Sequence, residues 1–394
     1  MSRWPSAVCG SPEMIADSDR MDFDDLDARV AAYAASADSN NTVRTYIWAW
    51  KRFTAWCERT GHVSLPASPQ TINRYMTQAA DDSDNPVASS TLEVWRAAIA
   101  CMHGQAGLAD PTADPSARRT RRGIRKTRAV SGETLLRAPV AVLSDVQSMV
   151  ETAHADARTW RAQVAARRDI ALILVSYDFA RRRSDTVALT IGDLAVVEDD
   201  TVNERLLRMR LPGNSIGHGR AQFIYRPRGS RDGLMCSWCG LARWIAVLYA
   251  CDSAAEAARG RSGEALSDAR SVAVQRLLRR DTGDPREHCC GGTWLVGRAA
   301  ASIFRSLSHG GIPHAPETAL SGRSVSAIIN ARSREAGIGR RSGHSLRAGV
   351  STQMYDDGAT DEQVMALAGY RNPASAQRYD RRRAQRSAAS STGL

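Results

Sequence analysis

The segment GHSLRAGVSTQMYDDGATDEQVMALAGYRNPASAQRYDRR, residues 343–382, contains the pattern that decides the fold. Its apolar spacing predicts three short helices. His344 and Arg347 are three residues apart on the first helix, so they share one face, about 60° apart. Tyr379 lies on the third helix. The question raised by the segment is whether its turns bring Tyr379 back to His344 and Arg347.

Two helix boundaries in this segment predict tight corners. Gly358 ends the first helix, and Thr360 with Gln363 forms a capping box that starts the second. Asn372 and Pro373 supply the cap and the first turn of the third helix. The second helix lies between these two corners and is expected to pack through its apolar side chains. The sequence therefore predicts that the third helix folds back towards the first.

Three separated motifs resemble those of the tyrosine site-specific recombinases, the phage integrase family. GHSLRAG and AGYRNPASAQRY resemble its C-terminal signature, with Tyr379 nine residues beyond Tyr370. FARRRSDTVALTIGDL resembles its first arginine box, in which Arg182 is the catalytic arginine, Arg183 a variable position and Asp185 the acidic member. Together with NTVRTYIWAWKRFTAWC, the resemblance extends over roughly residues 25–383.

The resemblance implies a DNA-cleaving enzyme with Tyr379 as its nucleophile. The tyrosine hydroxyl would attack a DNA phosphodiester and form a 3′-phosphotyrosine without ATP. Arg182 and Arg347 would neutralise the charge on the phosphoryl oxygens. His344 would donate to the same phosphate or assist proton transfer from Tyr379. Asp185 would orient the arginine box, and no cofactor is implied.

Two positions depart from the family pattern. Tyr370 stands where the family usually has His or Trp to support the scissile phosphate, and an aromatic donor can substitute there. The family also places a general-acid lysine in a β-hairpin loop, but this chain has no lysine after Lys126. One alignment of the loop puts Asn214 at that position and another puts His218 there. We favour His218, because imidazole can donate a proton near neutral pH.

The absent lysine also supports an alternative function. A protein that retains the fold but has weak or lost catalysis would bind DNA without cutting it efficiently. A protelomerase or type IB topoisomerase, which share the chemistry, would need larger or differently arranged domains. The retention of a complete set of arginines, histidine and tyrosine favours the recombinase over these alternatives.

The composition points to a polyanionic partner. The formal net charge is +11 and the sequence pI is about 9.6. This positive charge favours nucleic acid as the binding partner. Of the 53 basic residues only Lys51 and Lys126 are lysines, and arginine suits bidentate phosphate contacts. The predicted DNA-contacting residues are Arg44, Arg118, Arg119, Arg121, Arg122, Arg125 and Lys126.

The predicted fold is mainly α, with a small antiparallel β-sheet in a mixed α/β catalytic domain that follows an N-terminal helical domain of four or five helices. RLLRMRLPG and RAQFIYRPR predict two strands joined by a loop. The predicted divisions are a disordered N-terminus 1–24, a core-binding domain 25–117, a basic linker 118–138, a catalytic domain 139–383 with an insertion at 253–298, and a tail 384–394. The short stretch before residue 25 favours the minimal Cre-like or Xer-like two-domain form.

The expected partner is double-stranded DNA that carries a specific recombination site. The resemblance implies a homotetramer on two synapsed sites and a monomer or weak dimer without DNA. The N-terminus lacks the order of a signal peptide, no run approaches membrane-spanning length, and the eight cysteines form no dense framework. We therefore expect a bacterial or phage-encoded cytoplasmic protein associated with the nucleoid.

Cys236, Cys239, His288, Cys289 and Cys290 raise the question of a zinc site. The long separation between the two groups, and the absence of a second Cys-x-x-Cys pair, favour buried free cysteines instead. The sequence-based expectation is therefore that the protein holds no metal.

Overall fold

The structure, a computed structural model, describes residues 40–130, 139–199, 204–211, 222–229, 232–260 and 263–381. The chain divides into two compact units, Met1–Leu136 and Arg137–Leu394. The predicted disordered N-terminus 1–24, the start of the predicted core-binding domain and the tail 384–394 lie outside the described residues. The mainly helical fold with a small antiparallel sheet is confirmed in the described parts of the chain.

The N-terminal unit packs four helices around an aromatic core. They are α1 (Asn40–Thr60), α2 (Pro69–Ala80), α3 (Ser89–Gln105) and α4 (Pro115–Val130). α1 packs on α3, and α2 packs on α4. Ser68 caps α2, with its side chain accepting a hydrogen bond from the backbone N–H of Thr71. The core is built on Phe53, Tyr75 and Trp95, which bury large apolar areas.

The basic run predicted to be a linker is instead helical as far as Val130. α4 buries Ala117 and packs Ile124 against the aromatic core, while Arg128 donates to the backbone carbonyls of Ala80 and Val87. The spacing of these side chains is helical, so one face of α4 is anchored and its arginine-rich face remains outside. The sequence prediction missed this helix because its few apolar residues are outnumbered by charges.

The core of the C-terminal unit is a group of helices around α6 (Trp160–Asp178). α5 (Leu143–Ala155), α8 (Ser237–Ala257), α10 (Gly322–Glu335) and α11 (Gly343–Asp356) contact α6. α6 is buried on nearly every side of its C-terminal half, because its apolar residues are continuous rather than periodic. The short α7 (Arg183–Ala188) and a 3₁₀ turn lead from α6 into the sheet.

The sheet has three antiparallel strands in the order β1 (Leu194–Asp199), β2 (Glu204–Leu211) and β3 (Gln222–Pro227). Val196 lies opposite Leu207, and Met209 lies opposite Ile224. Alternate residues of β2 face the core, as expected for a sheet covered on one side. The predicted pair of strands is confirmed; the loop between them lies outside the described residues.

The region predicted as an irregular insertion contains more helix than expected. α8 continues to Ala257, and α9 (Gly263–Arg280) packs along it. The segment from 281 to 321 is irregular and is held by side-chain contacts. Arg305, buried in this segment, forms a paired hydrogen bond with Asp252 of α8 at 2.8 and 2.9 Å.

Three helices close the chain: α11, α12 (Asp361–Ala368) and α13 (Pro373–Gln377). α11 packs on α6, and α12 packs on both α11 and α13. None of the described helices combines the length and apolarity that a membrane crossing requires.

Candidate active site

Tyr379 and His344 lie in direct contact. The hydroxyl of Tyr379, just beyond α13, is 3.0 Å from Nε2 of His344 in the first turn of α11. The two rings meet edge to face, with centroids 6.3 Å apart. His344 is exposed and Tyr379 is half-buried, so the hydroxyl lies where a macromolecular substrate can reach it.

The predicted corners produce this contact. Gly358 follows α11 with φ 93°, a left-handed conformation that favours glycine. Thr360 and Gln363 form the predicted capping box, with backbone-to-side-chain distances of 2.9 and 3.3 Å. Gly369 ends α12 in the left-handed region, and Asn372 caps α13 through its side-chain oxygen. Each reversal follows from local turn chemistry that the sequence contains.

Arg347 lies beneath this pair and is 3% exposed. One guanidinium nitrogen donates to the carbonyl oxygen of Ala180 at 3.0 Å. The guanidinium carbon lies 4.4 Å from the centroid of the Tyr370 ring, a cation–π contact. Tyr370 in turn stacks on Tyr379, with centroids 5.9 Å apart. The Tyr370 ring thus lies between the fixed positive charge of Arg347 and the side chain of Tyr379.

Ser351 is a site residue that sequence reasoning missed. Its hydroxyl lies 3.3 Å from that of Tyr370 and also donates to the carbonyl of Arg347 at 2.9 Å. The signal was available, because Ser351 lies four residues after Arg347 and so shares its face of the helix. Ser351 links the backbone of α11 to the ring that supports the arginine.

The arginine box lies at the start of α7. Arg182 is the N-cap residue of that helix, and its guanidinium donates to the carbonyl of Gly369 at 3.2 Å. Arg183 is exposed and reaches Ser326 on α10. Asp185 is buried one turn into α7. The structure therefore brings Arg182 to the end of α12, immediately before Tyr370.

Arg181, which the sequence analysis did not single out, is the most buried of the three consecutive arginines, at 1% exposed. It donates to the carbonyls of Phe179 and Leu367 and is attracted by Asp185. Burial lowers its pKa to about 10, and it therefore remains charged at neutral pH. Arg181 ties the arginine box to α12, a positioning role that no motif reveals.

The proton states of Tyr379 and His344 follow from their surroundings. Burial, reinforced by Tyr370, raises the pKa of Tyr379 to about 12. Partial desolvation and the charge of Arg347 lower the pKa of His344 below that of free imidazole. At neutral pH Tyr379 is therefore protonated and His344 neutral. With the imidazole proton on Nδ1, the Tyr379 hydroxyl donates to Nε2, the arrangement of a general base.

Two predicted site residues cannot be placed. Asn214 and His218 lie in the loop between β2 and β3, outside the described residues. The identity of the proton donor to the leaving oxygen thus remains a prediction.

The predicted DNA-contacting residues lie on the N-terminal unit. Arg121 is partly buried and pairs with Glu93, Nε to Oε1 3.3 Å. The others are exposed on α1 or on the outer face of α4, namely Arg44, Arg118, Arg119, Arg122, Arg125 and Lys126. An unbroken basic helix face of this kind suits contacts to a phosphate backbone.

A second cluster lies in the C-terminal unit. The ligand atoms of Cys236, Cys239, His288 and Cys290 all lie within 4.8 Å of one another. The two groups of ligands are far apart in the sequence, which argued against a metal site, but the fold brings them together. Cys289 is exposed and does not belong to this set.

Similarities to known proteins extend over most of the chain in solved structures and over its C-terminal part in a family match. Residues 294–386 match the phage integrase family. A protein described as an integrase/recombinase XerD homolog from Selenomonas ruminantium is 26% identical over 209 residues, which are 52% of this chain and 56% of that protein. The chain thus spans about half the length of the curated relative that it matches.

Solved structures of recombinases also match. A lambda integrase tetramer bound to a Holliday junction matches 91% of this chain and 77% of its own, with 13% identity and a TM-score of 0.46. XerH bound to a palindromic difH substrate matches 86% of this chain and 75% of its own, with 10% identity and a TM-score of 0.45. The Tn1549 transposon integrase with transposon right end DNA matches 90% of this chain and 93% of its own, with 10% identity and a TM-score of 0.44.

Proposed function

We propose that this chain, whose residues 294–386 match the phage integrase family, is a site-specific recombinase that cleaves and rejoins double-stranded DNA through Tyr379. The observation that carries the proposal is the contact of the Tyr379 hydroxyl with His344 above the buried Arg347. A nucleophile, a base and a fixed positive charge are the groups that phosphodiester cleavage by a tyrosine needs.

In the proposed reaction, the Tyr379 oxygen attacks the scissile phosphorus while its proton passes to Nε2 of His344. Because the pKa of Tyr379 is raised to about 12, the free tyrosinate is scarce at neutral pH and a neighbouring base is needed. Arg182 and Arg347 stabilise the negative phosphoryl oxygens. The bond from phosphorus to the 5′-oxygen breaks, which leaves a 3′-phosphotyrosine and a 5′-hydroxyl.

The leaving 5′-oxygen must gain a proton, and we assign this step to His218 in the β2–β3 loop. The 5′-hydroxyl of an exchanged strand then reverses the sequence, attacks the phosphotyrosine and restores the tyrosine. The phosphodiester energy is conserved in the protein–DNA bond, and the number of phosphodiester bonds does not change.

The remaining residues position these groups. Asp185 attracts Arg181 and Arg347 from its buried position, and Tyr370 supports Arg347 from the opposite side. The exposed face of α4 and Arg44 would hold the DNA backbone. We further propose that the active assembly is a homotetramer on two synapsed sites, and that the protein acts in the cytoplasm on the nucleoid.

The test is the covalent adduct. The wild-type protein is incubated with DNA flanking its own gene, without added metal, and a denaturing gel is examined for a protein–DNA species. We expect an adduct with wild type, none with Tyr379→Phe, and an unchanged yield with Tyr249→Phe, an exposed tyrosine on α8. Tight site-specific binding without an adduct, even on nicked suicide substrates, would support the non-cleaving DNA-binding alternative.

The general acid has its own test. His218→Ala should slow cleavage of normal DNA but recover when the 5′-oxygen at the scissile bond is replaced by sulfur, because a thiolate leaves without a proton. Asn214→Ala should show neither effect. Slowing without rescue would remove His218 from this role while leaving Tyr379 as the nucleophile.

A further inference from the structure

The cysteine cluster, formed by Cys236, Cys239, His288 and Cys290, has the geometry of a closed metal site. Cys236 is the N-cap residue of α8 and Cys239 lies in its first turn, so both thiols share one face. Nδ1 of His288 lies 3.4 Å from Sγ of Cys239. A tetrahedral zinc ion with bonds of about 2.3 Å to sulfur needs ligands about 3.8 Å apart. The observed upper limit of 4.8 Å requires only side-chain adjustment to reach this value.

The number and type of side chains in the cluster favour a metal ion over a disulfide. Cys236, Cys239 and Cys290 are each 1% exposed or less, and His288 is half-buried beside them. A disulfide joins two sulfurs and would leave the third thiol and the imidazole without a function. A single metal ion accounts for all four side chains.

The segment carrying His288 and Cys290 is held in place by other contacts. Arg243 donates to the carbonyls of Gly233, Pro285 and Glu287, which bridges the turn before α8 and this segment. A Cβ at Gly233 would lie 2.1 Å from the carbonyl oxygen of Glu287, so the two backbones approach as closely as glycine allows. These contacts bring the two pairs of ligands together without a metal.

The same segment touches the sheet. Arg205 at the start of β2 donates to the carbonyl of Gly291 at 2.8 Å, one residue beyond Cys290. A cross-link at the cluster therefore fixes the start of α8 and the segment against which β2 rests. The chain between the two ligand pairs is long and ends in irregular structure. Because the entropy lost on closing a loop increases with its length, a cross-link here restricts the unfolded chain strongly.

We propose that Cys236, Cys239 and Cys290, as thiolates, and His288, through Nδ1, bind one structural Zn²⁺ ion. Four protein ligands fill a tetrahedral coordination sphere and leave no position for substrate, which marks a structural rather than a catalytic ion. Binding displaces the thiol protons to solvent, so affinity increases with pH. The site goes beyond the proposed recombinase chemistry and does not depend on it.

The first experiment measures the metal content of the full-length chain, purified without chelators from zinc-supplemented cells under reducing conditions. We expect about one zinc per chain in wild type and in Cys289→Ser, the matched control one residue from two of the ligands. We expect at least about a tenfold loss in the double variant Cys236→Ser, Cys290→Ser. Equal zinc contents in the double variant and wild type would overturn the assignment.

A second experiment uses wild-type protein alone and so does not depend on a variant folding. Mercurial titration of the thiols should release zinc in proportion, detected with a metallochromic dye. Metal-free protein refilled with Co²⁺ should show thiolate-to-cobalt charge-transfer bands and the strong visible bands of a tetrahedral site. Protein that contains no zinc and takes up no cobalt would overturn the proposal, as would two thiols protected from alkylation by a disulfide.

Stability gives a third measurement. Removing zinc with a chelator should lower the unfolding midpoint of wild type and of Cys289→Ser by several degrees, because the metal binds only the folded chain. It should not shift the midpoint of the folded double variant. A shift of the same size in both proteins would show that the chelator acts elsewhere and would remove the structural role.

Discussion

The tyrosine cluster, formed by Arg182, His344, Arg347, Tyr370 and Tyr379, and the cysteine cluster use burial in opposite ways. In the tyrosine cluster burial is graded, from Arg347 at 3% exposed to the exposed His344. In the cysteine cluster three thiols are buried together and face a common centre. The first arrangement keeps charge fixed below a hydroxyl that remains accessible, whereas the second withdraws its thiols from solvent.

This difference predicts which property each cluster controls. Side chains at the base of the tyrosine cluster are held by backbone carbonyls and an aromatic ring, so their replacement removes transition-state stabilisation before it removes the fold. The cysteine cluster joins the start of α8 to an irregular segment of the chain, so we expect its loss to lower stability first. Activity and metal content are therefore expected to vary independently across the two sets of variants.

The largest effect is expected for Arg347→Lys. Lysine keeps the charge but loses the planar fork that contacts Ala180 and stacks on Tyr370. We expect adduct formation to slow by about 10²–10³-fold, the range for one lost electrostatic donor, with zinc content unchanged. Single-turnover kinetics on a suicide substrate measure the rate. Arg334→Lys, an exposed arginine on α10, is the control; equal losses in both would show that the loss does not arise from the contacts of Arg347.

A backbone contact tests how rigidly the tyrosine cluster is mounted. A Cβ on Gly349 would lie 1.7 Å from the carbonyl oxygen of Ala141, so Gly349→Ala must displace α11 and with it His344. We expect the free energy of unfolding to fall by about 3 kcal/mol, the upper end for overpacking, in urea titrations. Gly104→Ala on α3, where a Cβ meets nothing within 4 Å, should be neutral or stabilising by up to about 1 kcal/mol. An unchanged stability of Gly349→Ala would mean that α11 is loosely held.

The exposed half of the cluster should respond to pH. His344 has a lowered pKa in the folded chain, so on acidification the unfolded chain takes up the proton first. The stability linked to His344 is complete above the ordinary imidazole pKa of about 6.5 and is lost as the pH falls below it. Adduct formation should likewise be constant near neutrality, and its acid limb should lie below the ordinary imidazole value of about 6.5, because the lowered pKa of His344 keeps the base unprotonated to lower pH.

Variants isolate this contribution. His344→Gln should form adduct slowly and lose the acid limb of the rate profile, while His309→Gln, an exposed histidine, should retain both rate and profile. An acid limb of the same shape in His344→Gln would assign the titration to another group and remove His344 from the role of base.

The approach of Tyr379 to His344 could be predicted because its geometry is encoded locally. His344 and Arg347 lie on α11 and Tyr379 follows α13, and each corner between these helices has a capping residue or a glycine in the left-handed region. The buried role of Arg181 could not be predicted, because its partners are carbonyls more than a hundred residues away or within its own turn. Side-chain identity carries no information about such backbone acceptors.

The cysteine cluster illustrates the opposite limit. Cys236 and Cys239 show the right local spacing, but His288 and Cys290 reach them only because Arg243 and the close approach at Gly233 fold the irregular segment back. These are tertiary contacts, and they produce no periodic pattern of residue types in the sequence. The helix α4 was missed for a related reason, since its packing depends on a few apolar residues within a charged run.

The smallest expected effect distinguishes the ring of Tyr370 from its hydroxyl. Tyr370→Phe keeps the ring between Arg347 and Tyr379 and removes the hydroxyl, with its contacts to Ser351, Arg347 and Tyr379. We expect a rate within about threefold of wild type and a loss of about 0.5–1 kcal/mol in unfolding free energy. Tyr370→Leu also removes the cation–π contact, worth about 1–2 kcal/mol when desolvated, and should slow adduct formation by about tenfold. If phenylalanine were as damaging as leucine, the hydroxyl itself would contact the scissile phosphate, and Tyr370 would serve as a donor rather than as the support of Arg347.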